Sequence, residues 1–339
     1  MVLGRSIPVS LATQQPAGQG DFLMARQHRN PDDLHRPVLL DVVVEHLCAA
    51  PAGLFVDATV GLGGHADAIL AQRPDIRLVG LDRDDAALEL ADLKLARWTG
   101  RYELCHSDYR ALPELSERRA WAPLAAVLVD MGVSSLQLDD PDRGFSFRLE
   151  GPLDMRMDRR ESRTAAELVN RLEANELRVL IRDYGEDPHA GRIARAIVMA
   201  REAGPITSTG ELAHIVEQAV PQRGPRRIHP ATQTFQALRI AVNRELDGIE
   251  EFVVATARQL APGGRLAIIA FHSLEDRAVK RAFRYLASNC ECPPEIPTCV
   301  CDKRAEVKLL SSKPLRADEA EVAANPRARS AKLRVLEKI

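Results

Sequence analysis

The sequence lacks the features of a membrane-spanning or globally basic protein. Its 339 residues contain no apolar run near the ~18 residues that a membrane-spanning helix needs, so we expect no membrane partner. The formal net charge is only −2, and any contact with a nucleic acid must therefore use local basic patches. A chain of this length predicts one large domain or two medium ones.

The first thirty residues lack both a secretory signal and a secondary-structure pattern. Residues 1–30 are rich in Gln, Gly, Ala and Ser, and they have no apolar core of the kind a signal peptide carries. We interpret them as a disordered N-terminal extension, within which Met24 is an alternative translation start. Six cysteines without a secretory signal indicate a reducing compartment, which predicts a cytoplasmic protein without a disulfide framework.

A nucleotide-binding βαβ pattern is present at 54–82. An apolar run predicts a strand that ends in Asp57, and a turn with three glycines follows at 61–64. A helical pattern begins at His65, and a second apolar run ends in Asp82. Strand, glycine turn, helix, strand and acid within about thirty residues are typical of nucleotide-binding units.

Each part of this pattern suits a nucleoside ligand. Gly63 and Gly64 let the backbone approach a ligand closely, and the helix N-terminus offers unpaired N–H groups. Asp82, at the end of its strand, is placed to accept hydrogen bonds from two ribose hydroxyls. The alternative is a tight turn without a ligand. The presence of Asp82 at the end of the second strand disfavours that alternative.

The identity of the ligand depends on Asp57. Residues 61–66 also match the dinucleotide fingerprint, so an NAD- or flavin-dependent oxidoreductase is the first alternative. A carboxylate at position 57 would face a pyrophosphate with like charge, which is costly in a partly dry site. S-adenosylmethionine carries a sulfonium and an ammonium group but no phosphate near the loop. The pattern therefore favours a methyltransferase.

Three more strands are predicted at 102–105, 125–129 and 265–270, in a Rossmann-like α/β sheet whose strand ends face one crevice. Tyr109 could stack on an adenine there, or it packs under the next helix. Runs at 307–310 and 333–336 predict an antiparallel edge of the sheet.

Two further strand ends carry candidate catalytic side chains. After the fourth strand, Asp130, Ser134 and Gln137 predict a polar pocket wall, and the alternative is an ordinary capped turn. His272 follows the fifth strand and is a candidate substrate contact, although a lone histidine is more often structural. The spacing of Ser273 and Asp276 predicts a helix start directly after it.

A helical segment interrupts the sheet pattern. From 162 to 245 the sequence has helical periodicity, with stretches at about 173–183, 190–203, 209–220 and 232–246. We therefore divide the chain into an extension (1–30), a first part of the methyltransferase domain (31–140), an inserted all-helical domain (141–246) and a second part (247–339).

The insert carries local positive charge that suits phosphates, or it presents a solvated charged loop. The expected substrate contacts are Arg156, Arg226, Arg227, Arg239 and Asn243.

Two Cys-x-Cys pairs stand close together near the end of the chain. Cys290, Cys292, Cys299 and Cys301 place four thiols in twelve residues, which could build a tetrahedral zinc site. The spacing is not the usual Cys-x2-Cys, so a surface loop with free thiols is the alternative.

The chain resembles the RsmH (MraW) family of small-subunit ribosomal RNA cytosine-N4 methyltransferases. The resemblance runs from His35 to the C-terminus, and only residues 1–30 fall outside it. The motifs that carry it include HRPVLL at 35–40, DATVGLGGH at 57–65, the loop 130–143, GFSF at 144–147, GPLDMRMD at 151–158, RIARAI at 192–197, HPAT at 229–232, TFQALR at 234–239, FHSLEDR at 271–277 and NPRARS at 325–330.

The resemblance implies a class I, S-adenosylmethionine-dependent fold, and methyl transfer to N4 of a cytidine in the decoding region. It implies small-subunit rRNA or the ribosomal subunit as partner, with the insert recognising the RNA. The oligomeric state stays open, with a homodimer as one alternative. The implied cofactor contacts are Gly63, Gly64 and His65 at the methionine end, Asp82 at the ribose, Tyr109, Asp130 and Gln137.

The related DNA amino-methyltransferases carry a Pro-Pro-aromatic turn after the fourth strand, and this chain has Asp130-Met131-Gly132 there instead. The amine-holding role of that turn therefore cannot be transferred directly. We expect an acceptor in the loop 130–135 to hold the amine, with His272 as the second candidate. A dinucleotide oxidoreductase and a non-catalytic RNA-binding protein are the alternative functions.

Overall fold

One seven-stranded sheet organises the part of the chain that the structure describes. The computed structural model describes residues 37–221, 228–293 and 298–339. The strands lie in the spatial order β3-β2-β1-β4-β5-β7-β6. In chain order they are β1 (Leu54–Asp57), β2 (Arg77–Asp82), β3 (Tyr102–His106), β4 (Leu124–Asp130), β5 (Leu260–Ala270), β6 (Val307–Leu309) and β7 (Lys332–Lys338).

The pairing of these strands confirms the predicted Rossmann-like α/β fold. Strands β1 to β5 are parallel to one another, and β7 is antiparallel to both β5 and β6. The chain reverses its direction of winding between β1 and β4, which is where such sheets bind ligands. The two C-terminal strands pair as predicted, but β7 lies between β5 and β6.

Helices cover both faces of the sheet with separate hydrophobic cores. On one face pack α1 (Leu40–Cys48), α2 (Gly64–Gln72) and α3 (Asp85–Leu95). On the other face pack α4 (Leu112–Arg118), α11 (Ile249–Arg258) and α12 (Ser273–Ala287). Two short helices, α5 (Ser135–Asp139) and α13 (Glu319–Ala324), lie in connecting segments.

Five helices between β4 and β5 enclose a third core. Its fully buried side chains include Leu177, Ile181, Ile193 and Leu212, which come from three successive helices. The helices are α6 (Ala165–Arg171), α7 (Ala174–Gly185), α8 (Ala190–Arg201), α9 (Thr209–Ala219) and α10 (Ala231–Asn243). The predicted run of helices is confirmed, whereas the division into domains stays a prediction.

The sequence also predicted a disordered N-terminal extension and no membrane partner. The predicted disordered extension, residues 1–30, lies outside the described residues. None of the helices in the described ranges has the length and apolar content that crossing a membrane requires.

Gly144 marks a tight approach between two loops that join the sheet to the helices. Its φ is +68°, and a Cβ there would overlap the carbonyl oxygen of Pro152 and lie 2.8 Å from the backbone nitrogen of Asp154. Because both obstacles are backbone atoms, no side-chain rotation can relieve the overlap. Only glycine fits this position without a backbone shift.

We predict that Gly144→Ala lowers the free energy of unfolding by about 3 kcal/mol or more, through strain and overpacking. Gly204→Ala is the matched control, because a Cβ added at that position would have no other atom within 4 Å. Urea denaturation of both variants measures the effect. Equal stability of the two variants would contradict the described packing of the loops.

Candidate active site

The glycine turn is bound to the end of β2. Oδ2 of Asp82 accepts a hydrogen bond from the backbone N–H of Gly61 at 2.9 Å, and Oδ1 accepts one from Asp84, also at 2.9 Å. Gly61 and Gly63 have φ values of +52° and +78°, which favour glycine. Burial raises the pKa of Asp82. Each carboxylate oxygen retains a lone pair for a further donor, as a ribose hydroxyl would supply.

The remaining part of the turn packs against the start of α1. A Cβ on Gly64 would overlap the ring of Pro37, so the close packing requires glycine. His65 is buried, and its Nε2 lies 3.0 Å from the carbonyl oxygen of Val38. The imidazole therefore joins α2 to α1, and its contact with the methionine end of the cofactor stays a prediction.

The carboxyl group of Asp130, at the end of β4, is affected by two neighbouring carboxyl groups, those of Asp57 and Glu275. Asp57 is 1% exposed, and burial raises its pKa to about 7, with a further contribution from Asp82. Burial also raises the pKa of Asp130 well above its ordinary value, and the charges of Asp57 and Glu275 add to this effect. Such a cluster of buried acids favours a cation as its ligand.

The loop after β4 holds two buried polar atoms without a partner. The backbone N–H of Asp130 donates to Oγ1 of Thr59 at 2.6 Å, which fixes the end of the strand. Oδ1 of Asp130 and Oγ of Ser135 are buried and make no hydrogen bond. Because buried polar atoms are nearly always paired, these two indicate a place where a ligand supplies the partner.

Ser134 and Gln137 form the capped turn that was the alternative to a pocket wall. The Ser134 hydroxyl accepts from the backbone N–H of Gln137, and Oε1 of Gln137 accepts from the N–H of Ser134 at 3.1 Å. Nε2 of Gln137 donates to Oδ2 of Asp84 at 2.9 Å. The cap organises the same loop that carries Asp130, so the two interpretations are compatible. The cofactor contact of Gln137 and the catalytic role of Ser134 stay predictions.

His272 belongs to a buried network with Glu275, Glu245 and Arg239. Its Nδ1 caps α12 and Glu275 completes the capping box, so the helix begins at Ser273 as expected, with His272 as its cap. Nε2 of His272 lies 3.1 Å from Oε1 of Glu275 but makes no hydrogen bond. Burial raises the pKa of Glu275, yet contact with His272 and the charge of Arg239 hold it below its ordinary value.

Tyr109 packs against a helix and keeps part of its ring exposed. Its ring is half-buried and meets Phe252 of α11 edge-on, with ring centroids 4.9 Å apart. The guanidinium of Arg110 lies 5.6 Å from the same ring. Packing under a neighbouring helix is therefore observed, and stacking of the exposed part on an adenine stays a prediction.

Each of the three described candidates for RNA contact already makes hydrogen bonds within the protein. Arg156 pairs with both oxygens of Asp154 at 2.7 Å, and Arg239 pairs with both oxygens of Glu245. The Asn243 amide accepts from the N–H of Met157 and donates to backbone carbonyls. Asn243 thus positions the loop that carries Arg156, and their contacts with RNA stay predictions. Arg226 and Arg227 lie outside the described residues.

One buried ion pair was not predicted. Arg143 is 5% exposed and pairs with Asp84 at 2.8 Å, while its other nitrogen donates to the carbonyls of Arg156 and Met157. It therefore connects the end of β2 with the start of the helical segment. Asp84, which also caps α3, was not among the residues singled out from the sequence.

Strand order and site together define the class of protein. Seven strands in the order 3-2-1-4-5-7-6, with β7 antiparallel and acids at the ends of β1, β2 and β4, are those of a Rossmann-like, class I methyltransferase fold. The chain belongs to the MraW methylase family, whose model matches residues 32–339.

Relatives named ribosomal RNA small subunit methyltransferase H are similar over most of their length. The protein of Nitratidesulfovibrio vulgaris, strain Miyazaki F, is 51% identical over 310 residues, covering 90% of this chain and 86% of the relative. That of Solidesulfovibrio magneticus is also 51% identical, covering 90% and 96%. That of Symbiobacterium thermophilum is 48% identical over 307 residues, covering 90% and 96%.

The raised pKa of Asp57 makes the ligand-free protein sensitive to pH. Its folded-state pKa of about 7 exceeds the ordinary 3.8, so bound protons stabilise the folded state. This contribution is complete below about pH 4 and is lost as the pH rises through 7. Its full size is on the order of 4 kcal/mol.

We predict that Asp57→Asn reduces the loss of stability between pH 4 and 8, because the amide carries no charge to bury. Urea denaturation of ligand-free protein at a series of pH values measures this loss. Glu89→Gln, an exposed change on α3, should keep the wild-type profile. Identical profiles for wild type and Asp57→Asn would show that the pKa of Asp57 is not raised.

Proposed function

We propose that this chain transfers the methyl group of S-adenosylmethionine to the exocyclic N4 amine of a cytidine in the decoding region of small-subunit rRNA. The observation that carries the proposal is identity of about 50% with ribosomal RNA small subunit methyltransferase H proteins across nine tenths of the chain. The choice of cytosine N4 rests on the family resemblance of the motifs. A ribosomal substrate implies action in the cytoplasm.

The chemistry of the crevice fits this cofactor. The unpaired Oδ1 of Asp130 and the raised pKa values of Asp57 and Asp130 call for a cationic partner, and the glycine turn leads directly into the N-terminus of α2. When bound, S-adenosylmethionine supplies an electrophilic methyl group on a positively charged sulfur. The residues proposed to hold it are Gly63, Gly64, His65, Asp82, Tyr109, Asp130 and Gln137.

Positioning of the amine is the main task of the protein. The lone pair of the cytosine N4 amine is delocalised into the ring, so the amine is a poor nucleophile. Hydrogen bonds to Oδ1 of Asp130 and Oγ of Ser135 would pyramidalise the nitrogen and direct its lone pair. Both atoms are buried acceptors without a partner, as this role requires. His272, the second candidate, is less suited to this role: its Nδ1 caps α12 as an acceptor, so its Nε2 carries the proton and donates.

Proton removal follows transfer of the methyl group. The methylated amine is cationic and acidic, so a weak base is sufficient to accept its proton. Burial and the neighbouring acids raise the pKa of Asp130, which makes its carboxylate a stronger proton acceptor than an exposed aspartate. The target base must leave its stack to reach this buried loop, so a single-stranded or flipped cytidine is expected.

We predict that the purified chain binds S-adenosylmethionine and not NAD(H) in calorimetric titrations. Asp82→Ala should weaken binding by roughly 10- to 100-fold, because hydrogen bonds to a charged group contribute about 1.5–3 kcal/mol. Asp75→Ala, near the opposite end of β2, is the control and should bind normally. Binding of NAD(H) in place of S-adenosylmethionine would favour the oxidoreductase alternative.

We predict that rRNA from cells lacking this protein loses one N4-methylcytidine, and that the wild-type gene restores it. Asp130→Asn should restore it at less than about one hundredth of the wild-type rate, with the fold kept, because the amide is a poor proton acceptor. Asp139→Asn makes the same chemical change at an exposed position nearby and should restore methylation fully.

Mass spectrometry of rRNA digests and primer-extension mapping provide the readout. Near-normal methylation by Asp130→Asn would remove this carboxyl from the mechanism without affecting the assignment of the enzyme. Unchanged N4-methylcytidine in the deletion strain would refute the proposed substrate. Binding of rRNA without any methyl transfer would favour the non-catalytic alternative.

A further inference from the structure

Two hydrogen bonds join the two sides of the segment between α12 and β6, whose described residues are 288–293 and 298–306. The N–H of Glu306 donates to the carbonyl of Leu286 at 2.8 Å, and the N–H of Ala305 donates to Oδ1 of Asn289 at 2.9 Å. These bonds bring the two Cys-x-Cys pairs at 290–292 and 299–301 face to face. The methyl-transfer mechanism proposed above uses none of these residues.

The four sulfurs form a compact group. The Sγ atoms of Cys290, Cys292, Cys299 and Cys301 all lie within 4.8 Å of one another. The Cys299–Cys301 distance is 3.6 Å and the Cys290–Cys301 distance is 3.9 Å. A tetrahedral zinc thiolate with Zn–S bonds of about 2.3 Å requires sulfurs about 3.8 Å apart. A disulfide would require about 2.05 Å, so the arrangement fits a metal and not a covalent bridge.

Backbone donors point at two of these sulfurs. The N–H of Glu291 donates to Sγ of Cys301, and the N–H of Cys292 donates to Sγ of Cys290, both at 3.4 Å. An N–H that donates to sulfur stabilises a thiolate and orients it, as outer-shell contacts do in metal sites. The backbone of the segment thus stabilises two of the sulfurs as thiolates, the form in which cysteine binds a metal, and holds them in place.

Within residues 288–293 and 298–306, hydrophobic packing does not account for the conformation. Cys290 and Cys299 are exposed, and Val300, the nearest large apolar residue in the described part of the segment, is 77% exposed. A chain segment that buries so little apolar surface needs another source of stability, and a structural metal is the common one. All four cysteines are free in the structure.

We propose that Cys290, Cys292, Cys299 and Cys301 bind one structural Zn²⁺ ion as four thiolates, with release of their thiol protons. A complete set of four sulfur ligands leaves no open position, so the ion has no catalytic role. Its role is to hold the two Cys-x-Cys pairs between α12 and β6 together. This inference is independent of the proposed methyl transfer.

The test is metal analysis of the full-length chain, purified without chelators. We expect one equivalent of zinc per chain and only Cys48 and Cys105 open to thiol reagents, with all six thiols reacting after the metal is removed. Cys290→Ser and Cys301→Ser should each lose most of the zinc. Cys48→Ser, which changes a cysteine of α1, should retain it.

Replacement of zinc by Co²⁺ provides a second readout that does not depend on any variant. A tetrahedral thiolate site should give intense d–d absorption and sulfur-to-cobalt charge-transfer bands. Several results would overturn the proposal: protein without metal and with all thiols titratable, disulfides among the four cysteines, or iron in place of zinc. Full zinc retention in Cys301→Ser would also overturn it. If the serine variants do not fold, the wild-type stoichiometry and the cobalt spectrum still decide the question.

Discussion

The burial of carboxyl groups at the strand ends is the constraint on which the site depends. Asp57 and Asp130 end adjacent parallel strands, and Glu275 opens the helix after the next strand, so the sheet brings them together. Burial removes the water that would screen their charges and raises the pKa of both aspartates. A fold retains such an arrangement where a ligand compensates it, and a cationic cofactor would do so.

The helical segment is attached to this site through polar contacts. Arg143 bridges Asp84 to the loop at 155–157, and Asn243 at the end of α10 binds the same loop. Removal of one partner of a buried ion pair is strongly destabilising, so these contacts hold the segment firmly against the sheet.

Much of the fold was predictable because apolar periodicity and strand-end acids are local signals. The runs that end in Asp57, Asp82 and Asp130 each became a buried strand, since near-continuous apolar stretches suit strands covered on both faces. The helix after β5 begins at Ser273 as expected, whereas its cap by His272 and the reciprocal contact with Glu275 are visible only in three dimensions.

The amino-acid sequence alone determined the βαβ unit, the helical run between β4 and β5, and the paired cysteines, because each depends on residues close together in the chain. The tertiary structure decided which polar side chains stay unpaired. Arg156, Arg239 and Asn243 resemble free RNA-binding groups in the sequence, yet each is bound by residues near it in space. Asp130 keeps an unpaired oxygen because no donor among the described residues lies within hydrogen-bond distance of its buried Oδ1. Pairing between distant segments follows from strand order and packing, which no local pattern specifies.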